Sequence, residues 1–185
     1  MRLCVLTGSE GLKGKKKFYA FKHPLVGLLL NPVCSDYQRP RMWECDCPTV
    51  AGELDLGVQV RGELCTILRQ LAVPIIRDEE FLRFGILCAM QVFKDKFWLR
   101  WAQEWLYGVD RTSVSAEIAA MVAEGFSSSS LAAKAAAHPA TAVEIASMFP
   151  HDARLAVESA RLANQHARID LVDLAHRAIS EEAPV

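Results

Sequence analysis

The apolar positions of this chain follow two different spacings, and the change falls near residue 77. Before that point, short runs such as 2–7 and 41–47 end at glycine or proline, which is typical of β-strands. Beyond it, apolar residues return every three or four positions over longer segments, which predicts helices. The pattern therefore predicts a small β-rich part followed by an all-helical part.

In the first part, we expect one short helix among several strands. The helix is PLVGLLL, where Pro24 favours the first turn and Asn31-Pro32 ends the segment. In the run RMWECDC, Met42, Glu44 and Asp46 alternate with Trp43, Cys45 and Cys47, which indicates a half-buried strand. The predicted strands, expected to form a largely antiparallel sheet, are 2–7, 17–21, 41–47, 56–60 and 64–71.

The stretch 81–108 is the most apolar of the second part and contains three of the four tryptophans. Its first half is apolar almost all round, which predicts a helix that is buried on most sides. After Asp95, a second helix places Trp98, Trp101 and Trp105 on one stripe. We expect these indoles to be buried between the two parts, and Gly108 to adopt the left-handed conformation after the helix.

The remaining helices are short and alanine-rich, and their uneven spacing argues against a repeat solenoid. One alanine face is expected on the third helix, formed by Ala116, Ala119, Ala120 and Ala123. Asp78 is predicted to cap the first helix, and His138-Pro139 and Phe149-Pro150 are predicted to interrupt the later ones. The later helices are expected at 131–137, 140–148, 152 to about 166, and 170 to about 179.

These elements predict an α+β fold. A small, largely antiparallel sheet unit with one short helix is expected over residues 1–76, and an all-helical region over 77–185. The composition, 51% hydrophobic and 23% charged, is that of a globular chain and not of a disordered one. The apolar run 25–30 is far shorter than the roughly 20 residues that span a bilayer. We expect a cytoplasmic protein without a membrane segment, whose cysteines are reduced.

Positive charge is concentrated in the first part. Residues 1–77 carry 11 Lys/Arg and 7 Asp/Glu, a net charge of +4, whereas residues 78–185 carry 10 and 15, a net charge of −5. Much of the excess is a lysine cluster made of Lys13, Lys15, Lys16 and Lys17. Such a cluster can contact phosphates or an acidic protein, and it is also common in a solvated loop. Since no aromatic residues alternate with the lysines, a protein partner is favoured over nucleic acid.

Cys34, Cys45 and Cys47, with His23 upstream, are the best metal candidates. Zinc is usually held by paired C-x2–4-C knuckles, and here a single C-x-C pair has no second knuckle. The alternative is that these cysteines fill the inner face of a sheet. We favour packing and expect neither a structural zinc ion nor a cofactor.

Two groups of residues, one in each part of the chain, form a recognisable combination. They are Phe18-Tyr19-Ala20, His23-Pro24-Leu25 and Met42-Trp43-Glu44-Cys45, and then Cys88-Ala89, Trp101-Ala102, Trp105-Leu106, Gly108 and Asp110-Arg111. This combination resembles a family of uncharacterised phage and bacterial proteins that pair a β-rich N-terminal unit with an alanine-rich helical region. The resemblance spans about 18–125 and is closer in its helical part, and Tyr19 stands where a histidine is usual after the first aromatic residue. The resemblance implies this architecture and a phage-like context, but no activity.

A second resemblance concerns only KFYAF-HPLVGLLL, which is similar to the opening of compact ADP-ribosyltransferase-like folds. It implies that Tyr19 and His23 bind a nucleotide, and the reaction would need a carboxylate such as Glu44 or Glu63. The alternative is that Tyr19 packs in the sheet and His23 is a turn residue. No Walker A loop, GxGxxG or GxSxG motif is present in the sequence.

The sequence therefore leaves two hypotheses for function. The favoured one is a non-enzymatic interaction protein, associated with phages and acting as an anti-defence or immunity-type inhibitor that binds a partner protein. The alternative is a small ADP-ribosyltransferase-like enzyme. Asp110-Arg111 is read either as a cap that fixes a turn or as an exposed recognition pair, and the oligomeric state is open. The candidate binding residues are Lys13, Lys15, Lys16, Lys17, Tyr19 and His23.

Overall fold

The computed structural model describes residues 2–7, 18–30, 41–48, 50–54, 59–62, 65–127, 130–145, 149–163 and 169–180. The chain divides into two compact units, Met1–Ile75 and Ile76–Val185. The first contains the strands and one short helix and is called the sheet unit, and the second is called the helical unit. The predicted α+β fold is confirmed.

Within the described residues, the strands form one antiparallel sheet with the order β4-β5-β2-β1-β3-β6. The prediction missed β4, because its sequence VAGEL has no apolar alternation and its pairing with β5 supplies the hydrogen bonds. The predicted strand 56–60 overlaps β5 at residues 59 and 60, and residues 56–58 lie outside the described part. The strands are β1 Arg2–Thr7, β2 Phe18–Phe21, β3 Arg41–Asp46, β4 Val50–Leu54, β5 Gln59–Gly62 and β6 Thr66–Leu71.

The core of the sheet unit lies on the central strands. A buried cluster contains Leu3, Val5, Ala20, Cys45 and Cys47, with Trp43 and Cys65 packed against it. The indole of Trp43 donates a hydrogen bond to the buried hydroxyl of Thr7, at 3.0 Å. The predicted side formed by Trp43, Cys45 and Cys47 therefore lines the core. Met42 is on the other side and is also buried, so the strand is not half-buried at that position.

The short helix α1, Pro24–Leu30, begins as predicted and packs against β2. The contact is close, because a Cβ atom added at Gly27 would overlap the Cγ atom of Phe21. The absence of a side chain at Gly27 therefore lets α1 approach the buried ring of Phe21.

The helical unit is built around α2, which packs against α5, α6 and α7. Its central position follows from its sequence, because eight consecutive residues from Leu82 to Ala89 are buried. Helix α4 packs against α5 and α3. The helices are α2 Asp78–Val92, α3 Lys96–Leu106, α4 Ser113–Ser127, α5 Leu131–Ile145, α6 Phe149–Ala163 and α7 Leu171–Ile179.

Local side-chain hydrogen bonds set where several of these helices begin. Asp95 accepts hydrogen bonds from two backbone N–H groups at the start of α3, and Asp170 does the same at α7. The prediction of Asp78 as the cap of α2 was wrong by one position. The N-cap is Arg77, whose backbone N–H donates to the carboxylate of Glu80 at 2.7 Å, which is one half of a capping box.

The three tryptophans of α3 are buried, with exposed fractions of 0% for Trp98, 5% for Trp101 and 4% for Trp105. Their described contacts lie inside the helical unit. The Trp98 ring packs edge-on against Phe93, with centroids 5.7 Å apart, and its indole N–H donates to the carbonyl of Ala136 at 3.1 Å. The burial of the three indoles is therefore confirmed, and α3 is joined to α5. Their burial between the two parts stays a prediction.

Helix α5 is continuous through Pro139, so the predicted interruption at His138-Pro139 was wrong. Proline has no N–H for the carbonyl of Ala135, and its ring crowds the preceding turn. The neighbouring carbonyl of Ala136 lies in that turn and accepts the Trp98 indole N–H. This hydrogen bond links the turn before Pro139 to α3.

Helix α6 begins at Phe149 and not at Asp152, so Pro150 lies in its first turn instead of breaking it. The first backbone N–H groups of a helix have no intrahelical acceptor, so a proline there removes no hydrogen bond. Of the described helices, none is long and apolar enough to cross a membrane.

Candidate functional site

Of the six binding residues predicted from the sequence, the structure describes the side chain of only one, His23. The lysine cluster lies outside the described residues, as does the side chain of Tyr19, whose backbone pairs with Arg61 of β5. His23 immediately precedes α1, where its carbonyl accepts the backbone N–H of Gly27 at 3.0 Å. This is the geometry of a turn residue at a helix start, and its side chain is half-buried.

The carboxylate suggested for an ADP-ribosyltransferase-like reaction has a structural role. Glu44 forms ion pairs with Arg69 on the neighbouring strand β6 and with Arg2 of β1. Two guanidinium groups thus neutralise the charge of Glu44 on the sheet surface. The other carboxylate, Glu63, lies outside the described residues.

The cysteine positions match the packing interpretation where they are described. Cys45 and Cys47 are fully buried in the sheet core, and Cys34 lies outside the described part. In the ranges that the structure describes, no group of three or more His, Cys, Asp or Glu side chains is arranged to hold a metal ion. Whether the protein contains zinc stays a prediction.

Asp110 and Arg111 fix the turn between α3 and α4. Asp110 accepts hydrogen bonds from the backbone and hydroxyl of Thr112, which lower the pKa of its carboxyl group. The Arg111 guanidinium lies 4.7 Å from the Trp105 ring centroid, donates to the Trp105 carbonyl, and pairs with Glu79 of α2 at 2.9 Å. These contacts agree with the cap interpretation of the pair.

One histidine of the helical unit is partly buried beside a neighbouring helix. His138 of α5 lies beside Asp152 of α6, with 4.0 Å between Nδ1 and Oδ1. Burial lowers the pKa of His138, and the nearby positive charges of His151 and Lys134 add to this, whereas Glu158 opposes it. Burial also raises the pKa of Asp152. The site therefore favours the neutral form of both groups.

We expect the helical unit to lose stability on acidification from about pH 7 to about pH 5. Because the folded pKa of His138 lies below its ordinary value of 6.5, the unfolded chain binds a proton that the folded chain does not. The contribution of His138 to stability is therefore fully present above its unfolded pKa of 6.5. It is lost as the pH falls from that value towards the folded pKa. Asp152 has the opposite sign, since its raised pKa restores stability at lower pH.

The measurement is the free energy of urea unfolding across this pH range for the wild type and for His138→Gln. The variant is expected to show a flatter profile. His176→Gln is the matched control, since His176 is an exposed residue of α7. Equal flattening by both variants would assign the pH dependence to general charge and not to His138.

The clearest candidate for an interaction site is an exposed apolar stripe on α4. It consists of Val114, Ile118 and Met121, whose spacing of four and three residues places them on one helix face. Their exposed fractions are 64%, 59% and 65%. The opposite side of α4 carries the predicted alanine face, which is buried. We call these three residues the α4 stripe.

The surroundings of the α4 stripe are open and acidic. Gly125 continues the same face one turn further on, and a Cβ atom added there would meet nothing within 4 Å. Glu117 and Glu124 are exposed and lie seven residues apart, so they flank the stripe on the same side. The sequence of α4 contains no Lys or Arg. The surface therefore combines apolar contact area with charge of a single sign.

A second exposed apolar surface lies on the edge strand β6, where Ile67 and Leu68 are 47% and 48% exposed. Adjacent residues of a strand point to opposite faces, so these two do not form one patch. Arg69 beside them is a charge of the kind that protects sheet edges from pairing. The α4 stripe is thus the stronger candidate.

The sequence analysis predicted the alanine face of α4 but not the exposed stripe behind it. The available signal was the composition of α4, which has large apolar residues on the side opposite the alanines.

Comparisons of the chain with protein-family models, curated proteins and solved structures found no match.

Proposed function

We propose that this chain is a protein-binding module that docks the apolar face of a basic amphipathic helix on the α4 stripe. The observation that carries the proposal is the exposure of Val114, Ile118 and Met121 on one helix face beside two glutamates. Contiguous exposed apolar surface that is bordered by polar residues is typical of binding sites. The apolar face of an amphipathic helix is a common partner for exposed apolar surface.

The charge around the α4 stripe indicates that the partner helix is basic. Glu117 and Glu124 border the stripe, and the region 78–185 that contains it has a net charge of −5. A partner helix with Lys or Arg beside its apolar residues would be attracted to this surface, whereas an acidic helix would be repelled. The same attraction would raise the association rate at low ionic strength.

The first test uses two designed peptides with the same leucine face, one flanked by lysines and the other by glutamates. We expect the lysine peptide to bind more tightly, as measured by fluorescence anisotropy. The double variant Ile118→Ser/Met121→Ser should weaken its binding about tenfold or more, because each buried aliphatic side chain contributes about 1.5–3 kcal/mol. Val172→Ser on α7 is the matched control and should leave the affinity unchanged, since Val172 is an exposed aliphatic residue beside an acidic one.

The charge of the surface is tested separately with Glu117→Lys/Glu124→Lys, which should reverse the preference between the two peptides. Equal affinity of the wild type for both peptides would contradict the proposal, as would unchanged binding by the serine variant. Sedimentation of the wild type tests whether a second copy of the chain binds the α4 stripe instead. A dimer that the serine variant abolishes would assign the stripe to self-association.

The more specific predictions about function come from the sequence alone. Phage association and the role of an anti-defence or immunity-type inhibitor follow from the resemblance and stay predictions. A contribution of the lysine cluster also stays a prediction: reversing Lys13, Lys15, Lys16 and Lys17 should weaken binding to an acidic partner, and more so at low salt. The ADP-ribosyltransferase-like alternative predicts the opposite order, with Tyr19→Ala more damaging than the lysine reversal.

A further inference from the structure

The sheet unit contains three neighbouring thiols that the proposed protein-binding function does not use. Cys45 and Cys47 are fully buried, and the half-buried Cys65 packs against the same cluster. Interaction with the Cys65 thiol adds to burial in raising the pKa of both Cys45 and Cys47. Cys65 is thus the member of the group that solvent reaches, and the other two lie behind it.

The register of β3 and β6 distinguishes the two buried partners. Cys45 pairs with Ile67, and Asp46 pairs with Thr66, so the next position along the antiparallel register places Cys47 opposite Cys65. Residues directly opposite each other have Cα atoms about 4.5–5.5 Å apart, which is inside the range of about 4.4–6.8 Å for disulfides.

Cys45 stands in a different relation to Cys65. Because Cys45 is opposite Ile67, Cys65 is its diagonal neighbour, two residues along β6. Diagonal neighbours are about 7–8 Å apart, beyond the distance that a disulfide bridges without backbone movement. The geometry therefore selects one pair among the three thiols.

We propose that Cys65 is a thiol-modification site that reacts with low-molecular-weight disulfides and then forms a reversible cross-strand disulfide with Cys47. In the first step, the Cys65 thiolate attacks one sulfur of the small disulfide. The S–S bond of that molecule breaks, one small thiolate leaves and takes up a proton, and a mixed disulfide remains on Cys65.

In the second step, the Cys47 thiol loses its proton to solvent, and its thiolate attacks Sγ of Cys65. The mixed disulfide breaks, and the second small thiol leaves. Two protein thiols have then been oxidised to one disulfide, and one small disulfide has been reduced to two thiols. The product would join β3 to the edge strand β6.

The burial of Cys47 determines which of the two steps is slower. Desolvation raises the pKa of Cys47 to about 11, and the neighbouring Cys65 adds to this rise. Since only the thiolate is nucleophilic, the second step should be slower than the first near neutral pH. Its rate should rise about tenfold for each unit of pH while the pH stays below that pKa.

The experiment incubates the full chain with glutathione disulfide and follows intact mass over time. We expect a transient adduct of one glutathionyl group, followed by a species that has lost two hydrogens. Digestion without reduction should then yield a peptide pair linked through Cys47 and Cys65. This mapping uses the wild type, so it does not depend on whether any variant folds.

Two conservative variants separate the steps. Cys47→Ser should hold the adduct on Cys65 without further reaction, and Cys65→Ser should abolish both products. Cys45→Ser is the matched control and should still form the Cys47–Cys65 disulfide. A disulfide through Cys45 or Cys34, or no modification of Cys65 in the wild type, would overturn the proposal. Neither outcome bears on the α4 stripe, which lies in the helical unit.

Discussion

Replacing Trp98 with alanine is expected to lower the free energy of unfolding of the helical unit by about 3–5 kcal/mol. The side chain is fully buried, packs against Phe93 and Trp101, and supplies the donor for the Ala136 carbonyl in the turn before Pro139. The substitution therefore removes core volume and leaves a buried carbonyl without this donor. Urea unfolding followed by circular dichroism measures the loss.

Two further variants divide this effect into its parts. Trp98→Phe retains most of the apolar volume but not the N–H, so it should cost about 1–3 kcal/mol. Phe97→Ala is the matched control, since Phe97 is the adjacent residue of the same helix and is 77% exposed. Its effect should stay within about 0.5 kcal/mol. Similar losses for Phe97→Ala and Trp98→Ala would show that α3 is packed through a different face.

Replacing Gly27 with alanine should destabilise the sheet unit by about 1–3 kcal/mol, although alanine favours helix more than glycine does. The new Cβ atom would overlap Cγ of Phe21 and lie 2.7 Å from Cδ1 and 2.8 Å from Cβ. Rotation of the ring cannot remove a clash with the Cβ and Cγ atoms, and Phe21 is only 4% exposed. Helix α1 must therefore move away from β2.

The same substitution at Gly125 should have the opposite sign. Gly125 lies in α4, and nothing is within 4 Å of the Cβ position there. Gly125→Ala should thus stabilise the helical unit by about 0.5–1 kcal/mol. Thermal unfolding of the two variants measures both changes. Stabilisation by both would show that α1 does not pack closely on Phe21.

Several elements could be predicted from local sequence because the signal and its cause lie within a few residues. The apolar spacing around Trp98 and Trp105 predicted a buried helix, and α3 has that buried face. Gly108 was expected in the left-handed conformation, and its φ is 72°. Its N–H bonds to the Trp105 carbonyl while that of Val109 bonds to the Glu104 carbonyl, the two hydrogen bonds of a Schellman motif.

Other elements depend on partners that are distant in sequence. Helix α5 is continuous through Pro139, and the turn before it receives the Trp98 hydrogen bond at Ala136, 38 residues away. The strand β4 is formed through its pairing with β5. A rule that uses only neighbouring residues predicts a break at Pro139 and a loop at 50–54, because it does not include contacts with distant segments.

At both candidate sites, the local sequence predicts which residues share a face, and the tertiary structure determines which face is buried and which residue is the partner. The apolar and alanine sides of α4 are visible in its sequence, but hydrophobicity alone would bury Ile118 and expose Ala119. The structure does the reverse, because small alanine side chains let α4 pack against its neighbours, and the larger residues are left on the outside. Likewise, the sequence predicted that Cys47 lies in a strand and is buried. Only the register of β3 and β6, continued by one position, brings Cys65 opposite it. Sequence periodicity specifies which residues share a face, and the choice of face and of partner comes from packing between segments that are far apart in the chain.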